Sequence, residues 1–435
     1  MILVAASLLA GIGAIMWKPY LSLTVLLIHG FVLNWFALKF YPVSYSLFGS
    51  VGTVLLYFPI ILLYIKGNRI IREFSHVYIV FIFVFSLWLY LLSLYHNVSW
   101  MKYLLFFRNY FHFFLIFPLT IYTIKRKNHY WIIYPIMGVI LFQIVLFLIQ
   151  MGIPSFQNYL IVEYRQTTNG WVALVSETLL RGKTFVGTFI RPANIGNFLA
   201  IIIPSLIVLK HLKFFRIKKF IYLILLLLLI GIILYTGIRT SFITFTIMTA
   251  GVLFILNKKT FSFFSVFALV FFVLVMPAIQ NLSSQYDRSE SFENPISRVS
   301  NLFETSNKKA LTEETTVRRT ANILDQYESF IWGSGRHLKG SYYEGISSIT
   351  DATLAVNLIE FGIITFILSI FLFFYPLKKI YKSSSRAFNL SLVFLIGVLL
   401  QTITDQGVFT LYSSIPLFII FGILYTYNIK ELKHE

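Results

Sequence analysis

The chain is a succession of apolar runs about as long as a bilayer is thick, and two of the connections between them are long and polar. The runs read at 2–16, 20–39, 46–65, 76–94, 104–124, 131–151, 193–209, 219–236, 239–256, 261–279, 352–375, 387–403 and 409–427. Roughly 17–25 apolar residues make one bilayer-crossing helix, which bonds all its backbone polar groups internally. Apolar residues make up 58% of the chain and charged residues 12%, and no soluble domain has an interior for that much apolar surface. The runs do not alternate polar and apolar residues, as the strands of a membrane β-barrel do. The expected fold is an all-α polytopic membrane protein with 12–13 transmembrane helices and two long extracytoplasmic loops. The count depends on whether the short first run pairs with the second as a hairpin around Lys18 and Pro19. That first run has no charged segment before it and no clear cleavage site, so it reads as a retained span rather than a signal peptide.

This divides the chain into N-terminal transmembrane helices (1–152), a first long loop (153–192) and central transmembrane helices (193–279). A second long loop (280–351) follows, then C-terminal transmembrane helices with a tail (352–435). Lys and Arg in short loops set the orientation, because they stay on the cytoplasmic side. Lys66, Arg69 and Arg72 form one cluster, and Lys125, Arg126 and Lys127 the next. Lys210, Lys213, Arg216, Lys218 and Lys219 form a third, Lys258 and Lys259 a fourth, and Lys378, Lys379, Lys382 and Arg386 a fifth. The C-terminus adds Lys430 and Lys433. These clusters alternate consistently, so they and the C-terminus are expected in the cytoplasm. Their distribution explains the net charge of +19 by topology and contact with anionic lipid, and leaves no call for nucleic acid as a partner.

Both long loops then face outward. The second holds ten of the seventeen acidic residues, and a protein that only conducts or anchors has little need of such loops. Val317, Ala321, Leu324, Tyr327 and Ile331 recur there at helical spacing, with Glu313 and Glu314 before them and Gly333 and Gly335 after. The pattern predicts an amphipathic helix over 315–332, carrying Arg318 and Arg319 in its first turn. Outside the cytoplasm neither ATP nor nucleotide sugars are at hand, so chemistry on that face needs a substrate carrying its own activation. The chain has no cysteine, which excludes disulfides, zinc thiolates and cysteine nucleophiles. It has no HExxH pair and no GxxxxGK[ST] or GxGxxG loop, which speaks against ATP hydrolysis.

Several charged residues stand at the expected outer ends of spans. Arg191 precedes Pro192 at the mouth of the span containing Ala193, Asn194 and Asn197. Arg239 lies in the tight turn Thr236-Gly237-Ile238-Arg239-Thr240-Ser241 between two apolar runs. Arg181 precedes Gly182 in the first long loop, and Arg108 lies one turn inside a span with His112 below it. A guanidinium is always charged and forked, which suits phosphate and diphosphate. An arginine at a helix end can also simply snorkel to the interface, and for Arg108 and Arg181 both readings stand. Arg239 is less easily read that way, because its turn is too short to be a solvated loop. Asp351, where the second long loop re-enters the membrane, is either a general base for a hydroxyl or an acidic helix cap. Glu360 lies two turns inside the next span, as an arginine partner or facing a wet cavity.

In order along the chain, these segments resemble a known family. They are Gly187-Thr188-Phe189-Ile190-Arg191-Pro192-Ala193-Asn194-Ile195-Gly196-Asn197, then Thr236 to Ser241, then the long loop ending in Trp332-Gly333-Ser334-Gly335, and last Asp351-Ala352-Thr353-Leu354 through Glu360-Phe361-Gly362. The order is similar to that of the O-antigen ligase and Wzy polysaccharide polymerase superfamily over about 180–375. The family's ligases carry a His where this chain has Asp351, and the acidic form is more typical of its polymerases. The resemblance implies a metal-independent glycosyltransferase, without cofactor, using an undecaprenyl-diphosphate-linked oligosaccharide. As a polymerase it would join repeat units into an O-antigen, capsule or exopolysaccharide on the outer face of the bacterial cytoplasmic membrane. In that role Arg191, Arg239 and Asp351 are the expected catalytic residues, and Arg318, Arg319, Arg181, Arg108 and Glu360 the expected substrate-binding ones. Membrane lipids, a chain-length regulator and a flippase are the expected partners. Two alternatives remain: a ligase moving glycan to a lipid or protein acceptor, and a lipid-linked oligosaccharide flippase or transporter. A transporter should show paired halves and interrupted helices; the chain shows no internal repeat.

Overall fold

The computed structural model describes residues 2–33, 45–104, 114–153, 156, 185, 192–214, 217–236, 238–257, 261–262, 331–335, 353–404 and 411–431. The protein is an all-α polytopic membrane protein: 88% of the described residues are helical and no strand occurs among them. In chain order the helices are α1 (Ile2–Trp17), α2 (Ser22–Ile28), α3 (Tyr45–Ile65), α4 (Arg69–His96), α5 (Ile116–Arg126), α6 (Tyr130–Gly152), α7 (Pro192–His211), α8 (Lys219–Thr236), α9 (Arg239–Leu256), α10 (Thr353–Tyr381), α11 (Ser385–Thr404) and α12 (Leu411–Glu431). Five of these are long and apolar enough to cross a membrane: α4, α6, α7, α8 and, from Glu360 on, α10.

Where both ends are described, the helix ends track the apolar runs closely, because in lipid a helix ends only where its free backbone groups can meet water or a partner; most of the run at 261–279 and residues 105–113 of the run at 104–124 lie outside the described residues. Two runs depart from the expected form. The run at 20–39 is not one regular helix: a 3-10 turn at Pro19–Leu21 precedes α2, and a π turn at His29–Leu33 follows it. The run at 76–94 lies inside a longer helix, because Asn68 caps α4 by accepting from the Ile71 amide at 3.1 Å. Arg69 and Arg72 are therefore helical, and Arg72 donates to the Tyr64 carbonyl at 3.3 Å.

The described residues form two compact units, one from 1–59 and 123–304, the other from 60–122 and 305–435. In the first, α7 packs against α8 and α9, α2 against α1 and α6, and α8 against α6. The central position of α7 shows in its burial, 78% of its apolar window against 28% for α8. Ile195, Leu199, Ala200 and Ile201 are fully buried. Phe220, Ile221, Leu223 and Leu227 on α8 are exposed, the face that hydrocarbon would cover.

In the second unit α10 packs on α4, α11 and α12, and α11 on α12. Gly422 of α12 lies so close to Thr120 of α5 that an added Cβ would stand 2.6 Å from the Thr120 Cβ, a small-residue approach typical of membrane helices. The two ends of α4 have different characters. At Glu73 an ion pair with Lys379 of α10 ties the basic end, and Lys379 also lies over the Phe74 and Tyr375 rings, at 5.9 and 5.7 Å. At His96, the other end, residues 331–335 of the second long loop pack.

Candidate functional site

Two polar constellations stand out, one in each unit. The first joins α7 to the turn between α8 and α9. Pro192 begins α7, where a fixed φ and a missing N–H cost nothing. One turn on, Asn197 Oδ1 accepts from Ser241 Oγ at 2.8 Å, and Asn197 and Ser241 are 2% and 0% exposed. Gly196 makes the approach possible: a Cβ there would stand 2.6 Å from Ser241 Oγ and 3.3 Å from Thr236 Oγ1. Thr236 ends α8 by donating to the Ile233 carbonyl at 2.6 Å. Its oxygen also accepts from the Ile238 amide at 3.4 Å.

Arg239 is the first residue of α9. Its N-cap is Ile238, which makes no side-chain cap, so α9 presents a positive end without a capping oxygen of its own. The two segments noted in the sequence as separate motifs therefore touch. The start of α9 lies beside the first turns of α7, whose first residue follows Arg191 in the chain.

The second constellation is built on a broken helix. Gly362 interrupts α10 at φ 79°, ψ 171°, a conformation open in practice only to glycine. At the break the Gly335 amide donates to the Glu360 carbonyl at 3.0 Å. Gly333 and Gly335 also have positive φ, 77° and 59°. A Cβ on Gly333 would overlap the Glu360 carbonyl and stand 2.6 Å from the Phe361 nitrogen. One on Gly362 would overlap the Ile331 carbonyl, and one on Gly335 would stand 2.6 Å from His96 Cγ. The two glycine motifs thus dock backbone to backbone. The expectation of one uninterrupted span through Glu360 gives way to this break, because the loop supplies the hydrogen bond that makes the break tolerable.

Around this joint lie His96, Tyr103, Trp332 and Glu360. His96 Nε2 is 2.9 Å from the Trp332 carbonyl oxygen, so the ring nitrogen donates in that bond. The Trp332 ring stacks near-parallel with Trp88 at 5.5 Å and Tyr95 at 5.3 Å. Trp88 Nε1 donates to Thr365 Oγ1 at 2.8 Å, and Thr365 Oγ1 in turn donates to the Phe361 carbonyl at 2.7 Å. Glu360 is fully buried. The Tyr103 hydroxyl is buried too, with no hydrogen-bond partner among the described residues. Burial first, and the nearby Glu360 carboxyl second, push the Tyr103 phenol well above its ordinary pKa, so it stays protonated as a donor. Among the described residues no group of three or more His, Asp or Glu could hold a metal ion.

Of the residues singled out from sequence, the structure places Glu360 and the backbone of Arg239. Arg108, Arg181, Arg191, Arg318, Arg319 and Asp351, and the helix expected over 315–332 up to residue 330, lie outside the described residues. Ile331 and Trp332 form a turn. His96, Tyr103 and Trp332 were not singled out as site residues. The signal for Trp332 was its place beside Gly333-Ser334-Gly335. No protein-family model matches the chain, and no curated protein matches it.

Proposed function

We propose that the protein is a multi-pass glycosyltransferase of the bacterial cytoplasmic membrane, a polymerase joining undecaprenyl-diphosphate-linked oligosaccharide repeat units on the outer face. The reading rests on the ordered resemblance of its motifs. The observation that carries it furthest is the buried Ser241–Asn197 hydrogen bond over Gly196. It joins two of those motifs and sets the start of α9, with Arg239, beside the helix that follows Arg191. A helix N-terminus without a side-chain cap suits a diphosphate, and arginines before α7 and at the start of α9 would add bidentate donors to it. The position of residues 331–335 at the end of α4 opposite Lys379 accords with a long loop outside and basic clusters inside.

In this reading the acceptor hydroxyl oxygen attacks the anomeric carbon of the donor glycan. The anomeric C–O bond to the diphosphate breaks, undecaprenyl diphosphate leaves with the electron pair, and the hydroxyl proton passes to Asp351. Arg191 and Arg239, with Arg318 or Arg319, take up the charge that grows on the diphosphate. The leaving group stores the activation, so the reaction needs no nucleotide, metal or cofactor. A transporter would use the break in α10 as part of a mid-membrane site. The Glu360 carbonyl at the break instead accepts from the Gly335 amide, so the break serves to dock the loop.

The test is polymerisation of purified lipid-linked repeat units by the purified protein in nanodiscs, with a metal chelator and no nucleotide. A ladder of lengthening glycan is expected. Unchanged repeat units, or glycan moved only to a different lipid or protein acceptor, would overturn the polymerase assignment.

A further inference from the structure

Trp332 is held far more firmly than a membrane-interface tryptophan requires. Its carbonyl bonds His96, which is 4% exposed. The glycine after it adopts a left-handed backbone against the Glu360 peptide, and α10 is broken to receive it. Trp332 nevertheless remains 43% exposed as a residue, and Tyr95, whose ring stacks with its indole, 62% exposed. Trp88, the third ring of the group, is buried and pinned through Thr365. An aromatic residue that only marks the headgroup zone needs a helix position and nothing more. A broken helix and two glycine-only conformations, spent on one half-exposed ring, indicate a surface that must keep its shape for a ligand.

We propose that Trp332 and Tyr95 form a carbohydrate subsite that stacks one pyranose ring of the lipid-linked glycan. This rests on the reading above and adds a place where the sugar, rather than the diphosphate, is recognised. The axial C–H bonds of a pyranose carry slight positive charge and lie against the negative face of an aromatic ring. The sugar hydroxyls need polar neighbours at the edge, and Ser334 stands two residues after Trp332. A polyprenyl tail, by contrast, gains nothing from a flat, rigid ring that a flexible leucine could not supply. His96 is then a positioning residue: it sets the angle of Trp332 through the carbonyl and does not touch the sugar.

The test uses the full chain in nanodiscs. The probe is the oligosaccharide that mild acid releases from the lipid-diphosphate-linked glycan pool of cells making the protein. The probe is expected to bind, with magnetisation transferred from protein to the C–H protons of one ring face. Trp332→Leu and Tyr95→Leu should each weaken binding by about 3- to 10-fold, and Trp332→Phe by no more than about twofold. Leucine keeps the apolar bulk an interface anchor needs and removes the flat face. Tyr95 is not clamped by the glycines, so its variant tests the subsite even where Trp332→Leu misfolds. Equal affinity in wild type and the Tyr95→Leu and Trp332→Leu proteins overturns the subsite. So does a Trp332 signal that follows the nanodisc lipid headgroup and ignores the oligosaccharide. Polymerisation by the wild type together with unchanged affinities in the variants removes the subsite alone. Absence of both polymerisation and binding in the wild type removes the glycosyltransferase reading with it.

Discussion

Replacing Gly362 by alanine tests the logic of the docked loop at its weakest point. At φ 79°, ψ 171° a side chain costs about 1–3 kcal/mol in backbone strain. The added methyl would also overlap the Ile331 carbonyl, so the loop must retreat. The undocked alternative, a straight α10, gains about 1 kcal/mol from alanine over glycine in a helix. Together the docked state loses about 2–4 kcal/mol relative to the undocked one, a shift of roughly 30- to 1000-fold in the opening equilibrium. The Gly335 amide reports on this directly, because it donates to the Glu360 carbonyl only when docked. Hydrogen exchange of a peptide covering Gly335 should accelerate by that factor in Gly362→Ala, while the protein remains inserted and monodisperse. Gly231→Ala is the control: it lies within α8, with nothing within 4 Å of its added Cβ, and should leave Gly335 exchange unchanged. Wild-type protection at Gly335 in a folded Gly362→Ala protein would refute the account.

Gly196→Ala should lower thermal stability in detergent, since its Cβ would stand 2.6 Å from Ser241 Oγ; adding Ser241→Gly should recover part of the loss, and no recovery would mean that the contact is not the cause. Arg239→Lys and Arg191→Lys should lose most polymer yield while still reaching the membrane, because lysine keeps the charge but not the bidentate fork; near-normal glycan in both would favour simple snorkelling. Asp351→Asn should keep donor affinity and slow elongation by about 10²–10⁴, whereas Arg239→Ala should weaken donor binding itself; wild-type elongation in Asp351→Asn would make that residue a helix cap. Ser284→Cys and Asn169→Cys should react with an impermeant thiol reagent in intact spheroplasts and Ser384→Cys should not, the chain having no cysteine of its own; the opposite pattern would reverse the orientation.

The sequence by itself determined the class of fold and most of the helix ends. The turn between α8 and α9 was legible to the residue, because two apolar runs separated by Gly237 and Ile238 leave a bilayer-bound chain one way to bond its backbone. Apolar length and loop charge are local quantities, and membrane helices obey them locally. The start of α4 was less legible: Arg69 and Arg72 look like loop residues by charge, yet the Asn68 cap and snorkelling side chains carry the helix through them.

The sites divide in the same way. Arginines at span ends could be picked from chemistry alone, and Glu360 from its rarity inside an apolar run. That Asn197 meets Ser241, or that Gly335 meets Glu360, could not, because each pair is far apart in the chain and the meeting depends on a glycine having no side chain. The break at Gly362 is the clearest case. Glycine inside an apolar run reads as a tolerated helical residue, since an unpaired carbonyl in lipid is too costly to expect. Only the tertiary structure brings the amide of Gly335 to that carbonyl, and with it Trp332 to Trp88 and Tyr95. The break exists because its hydrogen-bond partner arrives from another part of the chain.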